Sequence, residues 1–446
     1  MTRYIWFSSF SGSFEPGRSR CVVAIFRFLF LLLQMVAITV SARELRPPFS
    51  TSSRWVVDRL GARVKLSCVT WVGHLEAGIP EGLSKNTAPG IVTLIQANGF
   101  NCVRLTSSTW LWANDTYGAQ TVAQNFNTLK ITSSAVNLAA FNPEFYLLSL
   151  REVHRRVVNL ITSHGLMVIL DNHVSKPQWC CSDNDGNGFW GDEYFDVESW
   201  LQGLTAVAST FSGNPLVMGI GLRNELRGPR QNSVDWRVLM TQAAVAVHGV
   251  NPDVLIIAGG LSSATDLGFL SNGSALDTSR FQNKLMYEFH WYKDSHLTRG
   301  SDFNNFSDPD ACSTSQRNVH SDNGFLLEQN APLLLSEFGV KLNSMTYGEN
   351  RFLDCVIDYL EKKDLDWAFW ALQGSYYLRN EEQDSDEAYG LLRPTWQAFR
   401  NPPVVARLQI TIQNSTQGTC AQCSVLLRPA CLLDFISQRK INSLLR

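Results

Sequence analysis

The amino-acid sequence predicts an α/β fold of the (β/α)8 barrel (TIM barrel) class, with long loops on the face where the strands end. Three observations lead there. Eight apolar runs of strand length recur between residues 55 and 400, amphipathic stretches of helical length separate them, and turn signals punctuate the units. Runs that are apolar nearly throughout suit parallel strands covered on both faces, not alternating strands with one wet face. An open doubly wound sheet is the rival, but no G-x-G-x-x-G opens the chain and eight units is many for it.

The strand-like runs are Val64 to Trp71, Cys102 to Leu105, Met167 to Asp171 and Val217 to Leu222. Val254 to Ala258, Leu285 to Phe289, Leu333 to Phe338 and Trp367 to Leu372 complete the set. Phe145 to Ser163, Ser233 to His248 and Asn350 to Lys363 carry helical periodicity. Gly213-Asn214-Pro215 and Asn251-Pro252-Asp253 break the chain between units. The expected barrel domain spans residues 55–402, followed by a short irregular tail over 403–446.

Composition narrows the function. The 446 residues are 45% hydrophobic and 17% charged, and Lys+Arg 38 against Asp+Glu 40 gives a net charge of -2. That balance leaves no broad basic footprint for nucleic acid. Thirteen Trp and 11% aromatic residues argue for a packed globular protein and against disorder.

The N-terminus sets the expected compartment. Phe28 to Val40 is an apolar run preceded by Arg18, Arg20 and Arg27, and Val40-Ser41-Ala42 supplies small residues for cleavage. The run is shorter than the ~20 residues a bilayer span needs, so residues 1–42 read as a secretory signal, with an uncleaved anchor as the alternative. Four tripeptides match the N-glycosylation pattern, beginning at Asn114, Asn272, Asn305 and Asn414. Removal of Cys21 with the signal would leave nine of the ten Cys, an odd number that implies a free thiol or an intermolecular bond. Cys68 and Cys102 fall in strands and read as small buried hydrophobes. Cys180 or Cys181 is open to pairing with Cys312, since both lie in long loops. The expected protein is extracellular, monomeric, and has no membrane contact beyond the signal segment.

In a barrel of this class, functional residues stand where strands end. Strand two ends with Arg104, strand three with Asp171-Asn172-His173, and strand four with Arg223-Asn224-Glu225. Strand six runs into His290-Trp291-Tyr292, strand seven into Ser336-Glu337-Phe338-Gly339, and strand eight into Trp370. One charged strand end is ordinarily a solvated terminus. Six polar or aromatic ends on one face read as a shared site. Cleavage of a glycosidic bond needs an acid to protonate the leaving oxygen and a second carboxylate on the other face of the sugar. Glu225 and Glu337, across the barrel mouth from each other, fit that pair at the retaining separation.

The ordered set Asn101-Cys102-Val103-Arg104-Leu105, Asp171-Asn172-His173, Arg223-Asn224-Glu225, His290-Trp291-Tyr292 and Leu335-Ser336-Glu337-Phe338-Gly339 resembles family 5 glycoside hydrolases. It is most similar to their plant cellulase-type members, over residues 55–400. The resemblance implies Glu225 as acid/base and Glu337 as nucleophile. It implies that Asn224 bonds the sugar 2-hydroxyl and that Arg104 and Tyr292 keep Glu337 ionised. By the same resemblance His290 lies near the pair, His173 lines the subsite, and Trp370 is the platform under the sugar. The implied activity is hydrolysis of a β-linked glucan, mannan or smaller β-glycoside, with an oligo- or polysaccharide as partner and neither cofactor nor metal. The alternative is a carbohydrate-binding protein on the same barrel that has lost catalysis.

Weaker signals remain. Asp183, Asp185, Asn187 and Gly188 copy the first half of a calcium loop, but Tyr194 stands where the bidentate Glu belongs, so a glycine-rich loop beside the substrate is the reading. Glu381 to Glu387 reads as a solvated loop after strand eight. Cys420, Cys423 and Cys431 lack a fourth zinc ligand. Plant relatives often continue into a β-trefoil, for which residues 403–446 are too few.

Overall fold

Parallel strands can close on themselves when every strand is apolar on both faces, and the eight runs do so. The computed structural model describes residues 45–272 and 275–413. Its barrel strands are β1 Ser67–Trp71, β2 Cys102–Ser108, β3 Met167–Val174, β4 Val217–Gly221, β5 Leu255–Gly259, β6 Leu285–His290, β7 Leu333–Phe338 and β8 Asp366–Phe369. They close as β8-β1-β2-β3-β4-β5-β6-β7, all pairs parallel. Every strand residue is buried.

Five of the helices that cover the barrel start at side-chain caps, which decide their first residues. The covering helices are α1 Ala88–Ala97, α2 Leu150–Ser163, α3 Val197–Thr210, α4 Ser233–Val250, α5 Ala311–Asp322, α6 Tyr347–Lys363 and α7 Pro402–Gln413. Ser149 accepts from Glu152 N and Thr346 from Glu349 N. The α2 start therefore falls later than the apolar pattern from Phe145 suggests, and α6 starts earlier than Asn350. Between β5 and β6 the described residues form no full helix. A single turn, Leu261–Ala264, and a 3-10 turn, Gly268–Asn272, take its place, in a stretch of Ser, Thr, Asp and Gly that disfavours helix.

Two further departures are physical. The tail expected to be irregular from residue 403 is helical through Gln413, and Val404, Val405 and Leu408 are buried against the core. The expected zinc-poor cysteine cluster, the signal segment and the sequon at Asn414 lie outside the described residues. Between β2 and α2, four short helices over 109–141 form an insertion on the catalytic face that periodicity did not reveal.

The cysteines pair differently from expectation. Cys68 and Cys102 are buried, but they are register partners on β1 and β2 and form a disulfide. Cys312 bonds Cys355, tying α5 to α6 with Cα atoms 5.4 Å apart, because those helices pack side by side. Cys180 and Cys181 bond each other at the barrel mouth.

The barrel interior is apolar low down, where Met167, Ile169, Met218, Ile257, Met286 and Leu334 fill it, and polar higher up. An antiparallel hairpin, Ser50–Ser52 with Trp55–Val57, lies ahead of β1 and adds Val56 to that lower cluster. Beside it, Arg63 makes a bidentate pair with Asp366 at 2.7 and 3.0 Å, and Leu66 N also donates to Asp366 at 2.8 Å. Asp366→Ala is expected to cost about 3–5 kcal/mol, because it strands a buried guanidinium. Urea unfolding reads that loss as a lower midpoint, and an unchanged midpoint would refute it.

Candidate active site

Arg104 organises the mouth of the barrel. It is not at the end of its strand: β2 runs on to Ser108, so Arg104 points from mid-strand into the barrel. Its guanidinium is fully buried and meets Glu337 Oε1 at 2.6 Å, Asn224 Oδ1 at 2.9 Å and Asp171 Oδ2 at 3.1 Å. Burying that charge is tolerable only because three acceptors surround it. Asn224 spends its carbonyl on Arg104, so its amide group faces the cleft and His173 Nε2, 3.4 Å away.

Glu337 is the penultimate residue of β7. Besides Arg104 it accepts from Tyr292 Oη at 3.0 Å. Burial pushes its carboxyl up, and His290 and Arg104 oppose that shift. Glu225 follows β4 in the left-handed region, φ 40°, a conformation that a non-glycine residue holds only when its neighbours fix it. Arg227 does so by donating to the Glu225 carbonyl at 2.7 Å. The Glu225 carboxyl has one side-chain hydrogen-bond partner among the described residues, His290 Nδ1 at 2.9 Å, and burial raises it to about 7. His290 Nδ1 also lies 3.6 Å from Glu337 Oε2. One carboxylate oxygen from each Glu and the His290 nitrogen lie within 4.8 Å of one another. These atoms are a conceivable metal set. Glu337 is instead satisfied by Arg104 and Tyr292, and the guanidinium puts positive charge where a cation would sit.

His173 stays neutral, since burial and then Arg104 push it well below its ordinary value. Its Nδ1–H faces Asp171 Oδ2 at 2.6 Å. Its ring is stacked between His74, at 3.9 Å, and Trp370, at 5.5 Å between centroids. The indole of Trp370 therefore has one face packed, and the side chain lines the cleft. All eight residues singled out in the sequence (Arg104, His173, Asn224, Glu225, His290, Tyr292, Glu337 and Trp370) thus gather in one place.

Sequence reasoning missed others. Asp171 was visible in its motif without a role, and His74 follows β1 as a strand-end residue. Trp179, the Cys180–Cys181 pair, Arg379, Glu387 and Tyr389 line the cleft of about 200 Å³ with Glu225 and Glu337. Glu387 was expected in a solvated run, yet it is 2% exposed and accepts from Tyr376, from Arg379 at 3.2 Å and from Tyr389 N at 2.9 Å. In the calcium-like loop, Asp185 is turned to Arg227 and to Asn187 N, and Asn187 accepts from Ser175 N and Lys176 N. Those oxygens fold the loop.

A buried arginine joining two carboxylates and an asparagine at the mouth of a closed barrel is a chemical site in search of a class. Residues 77–375 match the family model described as cellulase, glycosyl hydrolase family 5. The chain belongs to glycosyl hydrolase family 5. It is 41% identical over 389 residues to a "Glycosyl hydrolase 5 family protein" of Chamaecyparis obtusa, covering 85% of this chain and 69% of that one. An endoglucanase of Paenibacillus polymyxa is 20% identical, over 85% of this chain and 91% of its own. Among solved structures, the catalytic domain of the major endoglucanase of Xanthomonas campestris pv. campestris superposes with a TM-score of 0.64 at 20% identity. That match covers 81% of this chain and 99% of that one, and it bears on fold. This family 5 member is therefore a glycoside hydrolase: it cleaves O-glycosyl bonds with water.

Proposed function

We propose that the protein is a secreted β-glycosidase that works with retention of anomeric configuration, Glu337 being the nucleophile and Glu225 the acid/base. The observation that carries this reading is the separation of the two carboxylates. Oxygens within 4.8 Å of each other suit the retaining pair at ~5 to 5.5 Å better than an inverting pair at ~6.5 to 9.5 Å.

The environments divide the roles. Among the described residues Glu225 meets one side-chain partner, the His290 imidazole, and its carboxyl is raised to about 7, so it holds a proton near neutrality. Glu337 lies against a permanent cation and a phenol, both of which favour its anion. In the first step the Glu337 oxygen bonds to the anomeric carbon, the glycosidic C–O bond breaks, and the leaving oxygen takes the Glu225 proton. In the second, a water gives its proton to Glu225 and its oxygen displaces Glu337. The Asn224 amide, held by Arg104, would donate to the 2-hydroxyl in a contact that tightens as the oxocarbenium-like state forms. Trp370, backed by His173, would carry the apolar face of the pyranose.

Secretion rests on the apolar N-terminal run, the three disulfides, and the exposed acceptor Asn305. The Xanthomonas relative is named as an extracellular enzyme. Among the described residues no helix is long and apolar enough to cross a membrane. The substrate is a β-linked glucan, mannan or shorter β-glycoside. Proton NMR of the first-formed sugar is the test. The β-anomer is expected, and initial release of the α-anomer would rule out the double displacement.

A further inference from the structure

We propose that this enzyme removes the terminal sugar of its substrate, because the loops after β8, β1, β2 and β3 join into a wall that shuts one end of the cleft. The inference rests on the roles given above to Glu225 and Glu337.

The wall is built from the long segment after β8. Tyr377 N donates to Glu81 at 2.7 Å, Tyr377 Oη to Pro80 O at 3.0 Å, and Leu83 N to Tyr377 Oη at 2.9 Å, all partners lying after β1. Lys85, also after β1, pairs with Asp384 at 2.9 Å. Gln383 reaches Lys130 O, after β2, at 3.4 Å. Finally the Arg379 guanidinium lies 3.6 Å over the ring of Trp179, after β3, and Trp179 meets Tyr376 edge-on at 5.7 Å. In barrel order β8, β1, β2 and β3 are successive neighbours. The segment thus leans on three loops in turn and spans half the rim.

Its inner surface is polar and set for sugar hydroxyls. Arg379 and Glu387 face the cleft as a pair 3.2 Å apart. Glu387 is fixed by Tyr376 and by Tyr389 N, and Arg379 Nε is buried with no protein acceptor among the described residues. A cation beside a carboxylate, with an aromatic face alongside, matches adjacent hydroxyls on a pyranose edge.

Direction follows from the chemistry. Glu225, after β4, protonates the oxygen that departs with the aglycone, so the aglycone lies on the β4 side. The retained sugar, on Trp370, points its C3–C4 edge away from Glu225 and toward Arg379, Glu387 and Trp179. The cleft of about 200 Å³ that these residues line suits one ring. A further sugar on O4 meets the wall. The relatives named as endoglucanases cut within chains; this chain is expected to cut at the end.

The test uses the full protein with β-1,4-gluco- and manno-hexaoses labelled at the reducing end. The expected early products are unlabelled monosaccharide and labelled pentasaccharide. Trp179→Ala and Arg379→Ala open the wall and raise the ratio of internal to terminal cleavage about tenfold, the effect of losing one good pocket contact. Early labelled di- and trisaccharides from the unmodified protein would overturn the wall and leave the two carboxylate roles standing. No turnover of either hexaose or of nitrophenyl β-glucoside and β-mannoside would overturn the hydrolase roles and this inference together. The unmodified protein decides the matter even if a variant fails to fold.

Discussion

Glu337→Ala is expected to lower kcat on every β-glycoside by about 10⁴-fold or more, since without the carboxylate no covalent glycosyl-enzyme forms. The loss belongs to chemistry and not to folding. Arg104 loses its 2.6 Å partner but keeps Asp171 at 3.1 Å and Asn224 at 2.9 Å, so the buried guanidinium stays anchored. Circular dichroism of the variant should match that of the unmodified protein. The alanine also leaves space beside the anomeric carbon. Added formate or azide is expected to enter that space and restore part of the turnover, giving product of opposite anomeric configuration because one displacement replaces two. A variant that keeps full turnover would remove Glu337 from the reaction.

How far the sequence reveals such a site depends on where the information lies. The strands were legible because burial on both faces demands apolar runs, and the stretches from Met167 to Leu170 and from Leu333 to Leu335 can hardly be read otherwise. Glu225, Glu337, His290 and Trp370 were legible for the same reason: a polar or bulky residue that interrupts or follows such a run has nowhere to face but the mouth. Arg104 was found by that logic yet placed wrongly. Its strand continues through Thr106 and Ser108, and a strand whose interior is polar does not look like one. Glu387 failed in the opposite sense. In a run of acids, nothing local distinguishes the one side chain that turns inward to Tyr376 and Arg379.

The disulfides were illegible on similar grounds. Cys68 and Cys102 sit 34 residues apart, and only the β1–β2 register makes them neighbours. Helix starts moved by a few residues because caps such as Ser149 and Thr346, not the apolar stripe, set them. The wall behind Trp370 is the extreme case. It depends on contacts such as Tyr377 with Glu81, 296 residues apart, which no window of sequence contains.

Glu225→Ala is expected to separate the two steps that Glu337→Ala abolishes together. For a substrate with a poor leaving group, loss of the acid should lower kcat/KM by about 10²–10⁴-fold. With a dinitrophenyl leaving group, which departs without protonation, glycosylation survives. Deglycosylation still needs the base, so the glycosyl-enzyme on Glu337 accumulates and appears in the intact mass as one added sugar. Azide needs no base, and it should release a glycosyl azide of retained configuration. The pH profile carries the same assignment. In the proposed mechanism Glu225 is protonated in the first step, and burial raises it to about 7, so kcat/KM of the unmodified enzyme on an unactivated glycoside is expected to fall as pH rises through about 7. In Glu225→Ala that basic limb disappears, while the acid limb, set by ionisation of Glu337, persists. An inverted azide product from Glu225→Ala, with the trapped sugar found instead in Glu337→Ala, would mean that the two carboxylates exchange roles.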